Sequence, residues 1–230
     1  KPEFNTQPLR VCLIDIETYS PDSFPDVDNP NHVVNVITCY DNFTKKFHTF
    51  GIKPYNGKGR PDLNYVHCRD ERDMFIKFLE YLESDYPDII SGWNSEFFDI
   101  PYIVGRIEHI LGPDYVNRLS PLGRVYSRLI RGQFGREQKR FYIEGVACLD
   151  YLDVYKRFCL KLRESYKLDA IGELELGQRK IDYGDSNLAT LSDEDWDTFI
   201  DYNIQDVNLL VRLEEKLQYF PLLRKLSYVG

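Results

Sequence analysis

The sequence contains one methionine, two tryptophans and four histidines in 230 residues, and its five cysteines include no Cys-x-x-Cys pair. The histidines, at 32, 48, 67 and 109, keep no ligand spacing to one another or to paired cysteines, which argues against a zinc site. An odd number of cysteines without paired spacing argues against a disulfide framework. Cys12, Cys39, Cys68 and Cys148 sit among apolar residues and are expected to be buried free thiols of a reducing compartment. No apolar run approaches the ~18 residues of a transmembrane helix, so no membrane association is expected. The opening Lys-Pro-Glu-Phe-Asn-Thr-Gln-Pro lacks the apolar core of a signal peptide. Internal repeats and low-complexity tracts are also missing.

What is present fits one globular domain with a sizeable core: 43% of the residues are hydrophobic and 14% aromatic. Residues 1–8 are expected to be a disordered or edge segment, and 9–230 a single domain. The net charge of −8 argues at first against a nucleic-acid partner, but the distribution does not. Between Arg118 and Arg140 lie Arg118, Arg124, Arg128, Arg131, Arg136, Lys139 and Arg140 against one acid, Glu137. That segment carries +6 and the rest of the chain −14. An acidic body with one basic segment suits a metal site beside a phosphate-binding surface. A merely solvated charged hairpin would have the same composition.

Pattern and punctuation predict a buried strand over 10–18, two β-rich runs at 33–40 and 46–51 forming a hairpin, and a short strand at 65–68. Asp70 caps a helix whose Met74, Phe75, Phe78, Leu79 and Leu82 keep the 3.6-residue period. A strand follows at 88–93, then a helix over 100–111 stopped by Gly112-Pro113. The basic stretch, about 124–145, alternates like a β-hairpin. Strand-to-helix over 148–158 and a helix over 166–176 come next. Ser192-Asp-Glu-Asp195 reads as a capping box opening a long helix that runs past Leu217. Asp26-Val-Asp28-Asn29 fails as a calcium loop, because Asn31 and Ile37 stand where Gly and Glu are needed. The order suggests a layered α/β or α+β fold with one mixed sheet.

Three segments place acids in otherwise core-like sequence, where a carboxylate is costly without compensation. Asp15 and Glu17 are two apart on a strand, so both project from one face, roughly 6.5 Å apart along the backbone. Such a pair repels unless a cation lies between; otherwise it is a solvated pair at a strand end. Tyr202 and Asp206, four apart on a helix, share a face at about 5–6 Å between Cβ atoms. That spacing is common by chance. Asp99, after Phe97 and Phe98, is a ligand or simply an N-cap before Ile100-Pro101.

Together, Asp-x-Glu, Asn-x-x-Phe-x-Asp and Tyr-x-x-x-Asp resemble the three motifs of the tyrosine-containing branch of the DEDD exonuclease superfamily. Asp-Ile-Glu-Thr-Tyr-Ser-Pro-Asp-Ser-Phe-Pro, Ser-Gly-Trp-Asn-Ser-Glu-Phe-Phe-Asp-Ile-Pro-Tyr, Leu-Asp-Tyr-Leu-Asp-Val-Tyr-Lys-Arg-Phe and Tyr-Asn-Ile-Gln-Asp-Val resemble the exonuclease domain of family B DNA polymerases, of the T-even-like bacteriophage type. The resemblance runs from about residue 9 to about residue 217. It implies a ribonuclease-H-like (DnaQ-like) α/β fold, a mixed five-stranded sheet flanked by helices with an inserted β-hairpin. It implies a 3′–5′ exonuclease that proofreads the single-stranded 3′ end of a DNA primer beside the polymerase domains of a longer parent chain, in a host cytoplasm.

By the same resemblance, Asp15, Glu17 and Asp206 hold one of two divalent ions, Mg²⁺ or Mn²⁺. Asp15 bridges to the second, with Asp99 acting there. The all-oxygen ligand set fits those ions. Tyr202 orients the attacking water, since a phenol, pKa about 10, is a poor base at neutrality. Phe98 stacks terminal bases, Asn94 hydrogen-bonds the strand, and Lys180 lies near the scissile phosphate. The basic hairpin helps part the primer end from its template. A free-standing nuclease acting on DNA or RNA, and a non-catalytic interaction domain holding one structural ion, are the rival readings. The retention of all four acids and Tyr202 weighs against the latter.

Overall fold

Strand β1 (Val11–Thr18) lies inside a six-stranded sheet, and its alternation builds two cores at once. The computed structural model describes residues 8–21, 24–57, 59–131, 137–177 and 188–227. β1 pairs antiparallel with β2 (Val34–Asp41), which pairs antiparallel with β3 (Lys46–Gly51), the expected hairpin. β4 (Leu63–His67) joins β3 in parallel; on the other flank β5 (Ile89–Gly92) and β8 (Ala147–Asp150) continue the sheet in parallel. The order is β4-β3-β2-β1-β5-β8.

The expected class, a mixed sheet flanked by helices, is what the chain adopts. The sheet has six strands where the resemblance implied five; the short strand expected at 65–68 forms at Leu63–His67, pairs in parallel with β3 and completes an edge. β6 (Val125–Arg131) and β7 (Glu137–Ile143) form the separate antiparallel hairpin expected in the basic stretch.

On one face of the sheet Cys12, Ile14 and Ile16 share a core with α1 (Glu71–Ser84), α2 (Asp99–Leu111) and the short α3 (Pro113–Val116). On the other, Val11 and Leu13 meet α4 (Tyr151–Phe158), α5 (Leu168–Leu176) and α7 (Trp196–Leu217). Burial on both faces explains why β1 and β2 read as nearly continuous apolar runs. Asp70 does cap α1, accepting from the Asp73 N–H at 2.8 Å. All five cysteines are free thiols; Cys12, Cys39 and Cys68 are buried, and Cys148 and Cys159 half-buried. No helix among the described residues is long and apolar enough to cross a membrane.

Several expected boundaries move, among them the end of the long helix, which stops at Leu217 where Gln218 turns left-handed. The capping box is not used: Ser192 lies within a short helix of its own, α6 (Leu188–Glu194), and Asp195 caps α7 by accepting from the Thr198 N–H at 3.0 Å. Asp195-x-x-Thr198 competes with Ser192-x-x-Asp195 for the same helix start and wins, because the chain is still helical at Ser192. The helix expected from Tyr166 starts at Leu168, with the Tyr166 carbonyl accepting the Trp93 indole N–H at 3.0 Å.

One buried ion pair ties α1, α2 and β2 together. Arg106 donates to Glu71 through Nε at 2.9 Å and also through Nη2, while Glu71 accepts the Val34 N–H at 2.8 Å. Both residues are under a tenth exposed. Removing one partner strands the other charge in the core. Arg106→Met is therefore expected to cost about 3–5 kcal/mol in urea denaturation; a loss below about 1 kcal/mol would contradict this role.

Candidate active site

β5 stops at Gly92, and its last pairing with β1 is Leu13 with Ser91. A side chain at Gly92 would not fit, since a Cβ there would lie 2.5 Å from the Ile14 carbonyl oxygen. Beyond that point β1 runs on with β2 on one side only, and this open edge carries Asp15 and Glu17. Both share the face of Val11 and Leu13, the face that α7 covers. Ile204, Val207 and Leu210 bury α7 against that face and turn Asn203 and Asp206 toward β1.

There the Asn203 amide donates to Asp15 Oδ2 at 2.6 Å. Asp15, Glu17 and Asp206 each offer one carboxylate oxygen, all within 4.8 Å of one another. Two unit charges at that distance repel by about 3.5 kcal/mol at an effective dielectric of about 20. Three such carboxylates, Asp206 being only 7% exposed, form a donor set matched to a hard divalent cation.

Asp99 lies outside this trio but against the same strand. Its Oδ1 accepts the Ile16 N–H at 3.1 Å, a donor on the side where β5 has ended. It is thus the first residue of α2, and Phe98 is the N-cap, with no side-chain capping bond. Burial drives the Asp99 carboxyl up to about 7; the Ile16 N–H opposes that shift and the nearby Asp150 charge adds to it.

The turn leading to Asp99 hangs on Asp150, which the sequence reading did not single out. Asp150 accepts backbone N–H groups from Asn94 at 3.1 Å, Glu96 at 3.2 Å and Leu152 at 2.9 Å. It is 3% exposed, and burial pushes its carboxyl up to about 6. Asn94 adopts the left-handed conformation at φ 65°, and its carbonyl accepts the N–H groups of Phe97 and Phe98.

Asn94 itself is exposed; Phe98 is half-buried and stacks on Tyr102 with centroids 5.6 Å apart. Tyr202 is half-buried on α7, one turn before Asp206. Lys180 lies outside the described residues. Asn203 was also missed, although its signal was present: it precedes Asp206 by three residues, on the same helix face.

Residues 1–171 match the family model described as DNA polymerase family B, exonuclease domain. The chain belongs to that family. This exonuclease domain is 31% identical over 244 residues to the DNA-directed DNA polymerases of Escherichia phage RB69 and of Enterobacteria phage T4. Each alignment covers 96% of the chain and 27% of the polymerase. A DNA polymerase of Orgyia pseudotsugata multicapsid polyhedrosis virus is 26% identical over 224 residues, covering 93% of the chain and 22% of its own length. The chain thus spans about a quarter of the length of these relatives. The family model ends before α7, whereas the phage alignments take in Tyr202 and Asp206 as well.

The raised carboxyls of Asp99 and Asp150 fix the sign of a pH effect. Their folded pKa values lie above those of the unfolded chain, so the native state binds more protons than the unfolded state between about pH 4 and 7. Their contribution is complete below about pH 4 and is lost as pH rises through 6 and 7. In chelator, the melting temperature is expected to fall from pH 5 to pH 8, and Asp99→Asn to flatten that fall. A profile unchanged by Asp99→Asn would show that this carboxyl is not held protonated.

Proposed function

We propose that this chain is a 3′–5′ exonuclease module that removes nucleotides from the 3′ end of DNA. Its context is a family B polymerase, so the removal serves proofreading. The observation that carries this reading is the convergence of Asp15, Glu17 and Asp206 within 4.8 Å at an open sheet edge, in a chain of the exonuclease-domain family. Those three carboxylates would hold one divalent ion, Mg²⁺ or Mn²⁺, and Asp15 with Asp99 would serve a second. When bound, such a pair supplies Lewis-acid stabilisation of the attacking and leaving oxygens of an in-line displacement.

The chain's own residues do the rest. Asn203 fixes the rotamer of Asp15 by its short hydrogen bond, so the ligand set is preorganised by α7. Tyr202, one helical turn from Asp206, presents a hydroxyl that aims the attacking water. Phe98 offers a ring face to the terminal bases, worth roughly 1–3 kcal/mol per stacked base. Asn94, exposed beside it, hydrogen-bonds the strand, and Lys180 is the candidate contact to the scissile phosphate.

The hairpin supplies a cationic surface. The Arg124 and Arg128 guanidinium groups lie over the Tyr126 ring at 5.2 and 5.4 Å, with both arginines exposed. This is a surface suited to phosphates, at which the primer end is parted from its template. The partners are thus a single-stranded 3′ end and the polymerase domains of a longer chain.

The wild-type chain is expected to shorten 5′-labelled single-stranded DNA stepwise from its 3′ end in Mg²⁺ or Mn²⁺, and to stop on adding EDTA. Asp15→Ala with Glu17→Ala should lower the rate by roughly 10²–10³-fold or more while leaving circular dichroism unchanged. A folded double variant that digests DNA as fast as the parent would sink the assignment.

A further inference from the structure

An ion pair joins the turn over 93–98 to the hairpin. Glu96 is 4% exposed and its carboxylate contacts Arg140 Nε; Arg140, on β7, is 36% exposed. On its outer side Arg140 ends a stack that runs along one face of the hairpin. Tyr126 and Tyr142 are stacked at 5.2 Å with their planes 13° apart, Arg128 lies over both rings, and Arg140 lies 5.9 Å from the Tyr142 centroid. Arg124, at the other end of the stack, pairs with Glu144 instead, at 3.0 Å. Of these three arginines, Arg140 is therefore the one that continues from the stack into the body of the domain.

On its inner side, the Glu96 N–H is held by Asp150 at 3.2 Å, and three residues later Asp99 caps the Ile16 N–H. A buried carboxylate deprived of its cation is costly, so Glu96 must follow Arg140 or leave its place. Room for that movement exists. A half-open cavity of about 260 Å³, lined by Glu96, Tyr126, Arg140, Tyr142, Glu144 and Cys148, lies between hairpin and sheet.

We propose that Arg140 is a positioning residue. By holding the buried Glu96 carboxylate it fixes the 93–98 turn to the hairpin, so that the hairpin's placement sets that of Phe98 and Asp99. The inference rests on the exonuclease reading for its catalytic consequence, but not for the latch itself. A hairpin displaced by a bound strand pulls on Glu96, and the turn that presents the site is displaced with it. A phosphate that captures Arg140 has the same effect. The latch makes the site sensitive to what occupies the hairpin.

The experiment uses the full 230-residue chain and two readouts. One is steady-state digestion of a single-stranded oligothymidylate. The other is the indole N–H resonance of Trp93, which marks the turn by its 3.0 Å bond to the Tyr166 carbonyl; comparison with Trp196→Phe assigns it. Arg140→Gln is expected to lower kcat about tenfold or more, as small misplacements of reacting groups do, with KM changed less than about twofold and the Trp93 resonance displaced. Arg140→Lys should regain most of kcat.

Glu96→Gln, which removes the buried charge and so tolerates loss of the pair, should reproduce both effects in a stably folded chain. The proposal fails if Arg140→Gln raises KM alone with the Trp93 signal in place, since Arg140 would then simply contact DNA. It fails equally if Glu96→Gln behaves as wild type. A wild-type chain that digests no DNA, with the Trp93 resonance displaced in both variants, would overturn the exonuclease reading and leave the latch standing.

Discussion

Mutual repulsion among Asp15, Glu17 and Asp206 is the constraint around which the rest of the structure is arranged. Three carboxylates within 4.8 Å are not held there by attraction to one another; they are held by what lies behind them. β1 is clamped between two cores, Cys12, Ile14 and Ile16 on one face and Val11 and Leu13 on the other. α7 is clamped by Ile204, Val207 and Leu210. Burying each such side chain contributes roughly 1.5–3 kcal/mol, enough in sum to hold the acids against their repulsion. That repulsion is greatest without a counter-ion.

The second group at the site is arranged by hydrogen bonding rather than by packing. β5 ends early at Gly92, which frees the Ile16 N–H for Asp99 and bends the chain through Asn94. Asp150 then gathers N–H groups from both sides of that bend. The result is a carboxyl group, Asp99, buried beside β1 and held by the Ile16 N–H, with Phe98 at the adjacent surface. Glu96 and Arg140 extend the same arrangement to the hairpin.

Much of this was legible in the sequence, and the reason is local. The spacing of Asp15 and Glu17 on a strand, and of Tyr202 and Asp206 on a helix, decides which side chains share a face whatever surrounds them. The cap at Asp70 and the basic hairpin are local in the same sense. What was not legible depends on contacts distant in sequence. Asp150 looks like any residue between a strand and a helix until its carboxylate is seen to hold residues 54 and 56 positions away. Glu71 and Arg106 are ordinary helix residues until β2 supplies the Val34 N–H between them. The strand near residue 65 was legible, but its place at the sheet edge beside β3 rests on a pairing that its own residues do not specify. Ser192 and Asp195 offered two equally local caps, and the choice between them was made by the helix already formed over 188–194.

The central claim is that the three converging carboxylates form a cation site, and anomalous X-ray scattering from crystals soaked in Mn²⁺ tests it most directly. The account predicts a manganese peak within ligand distance, about 2.0–2.6 Å, of Asp15, Glu17 and Asp206, and its loss in crystals of Asp206→Ala. A fully occupied manganese elsewhere on the chain, with those three carboxylates left without one, would contradict it.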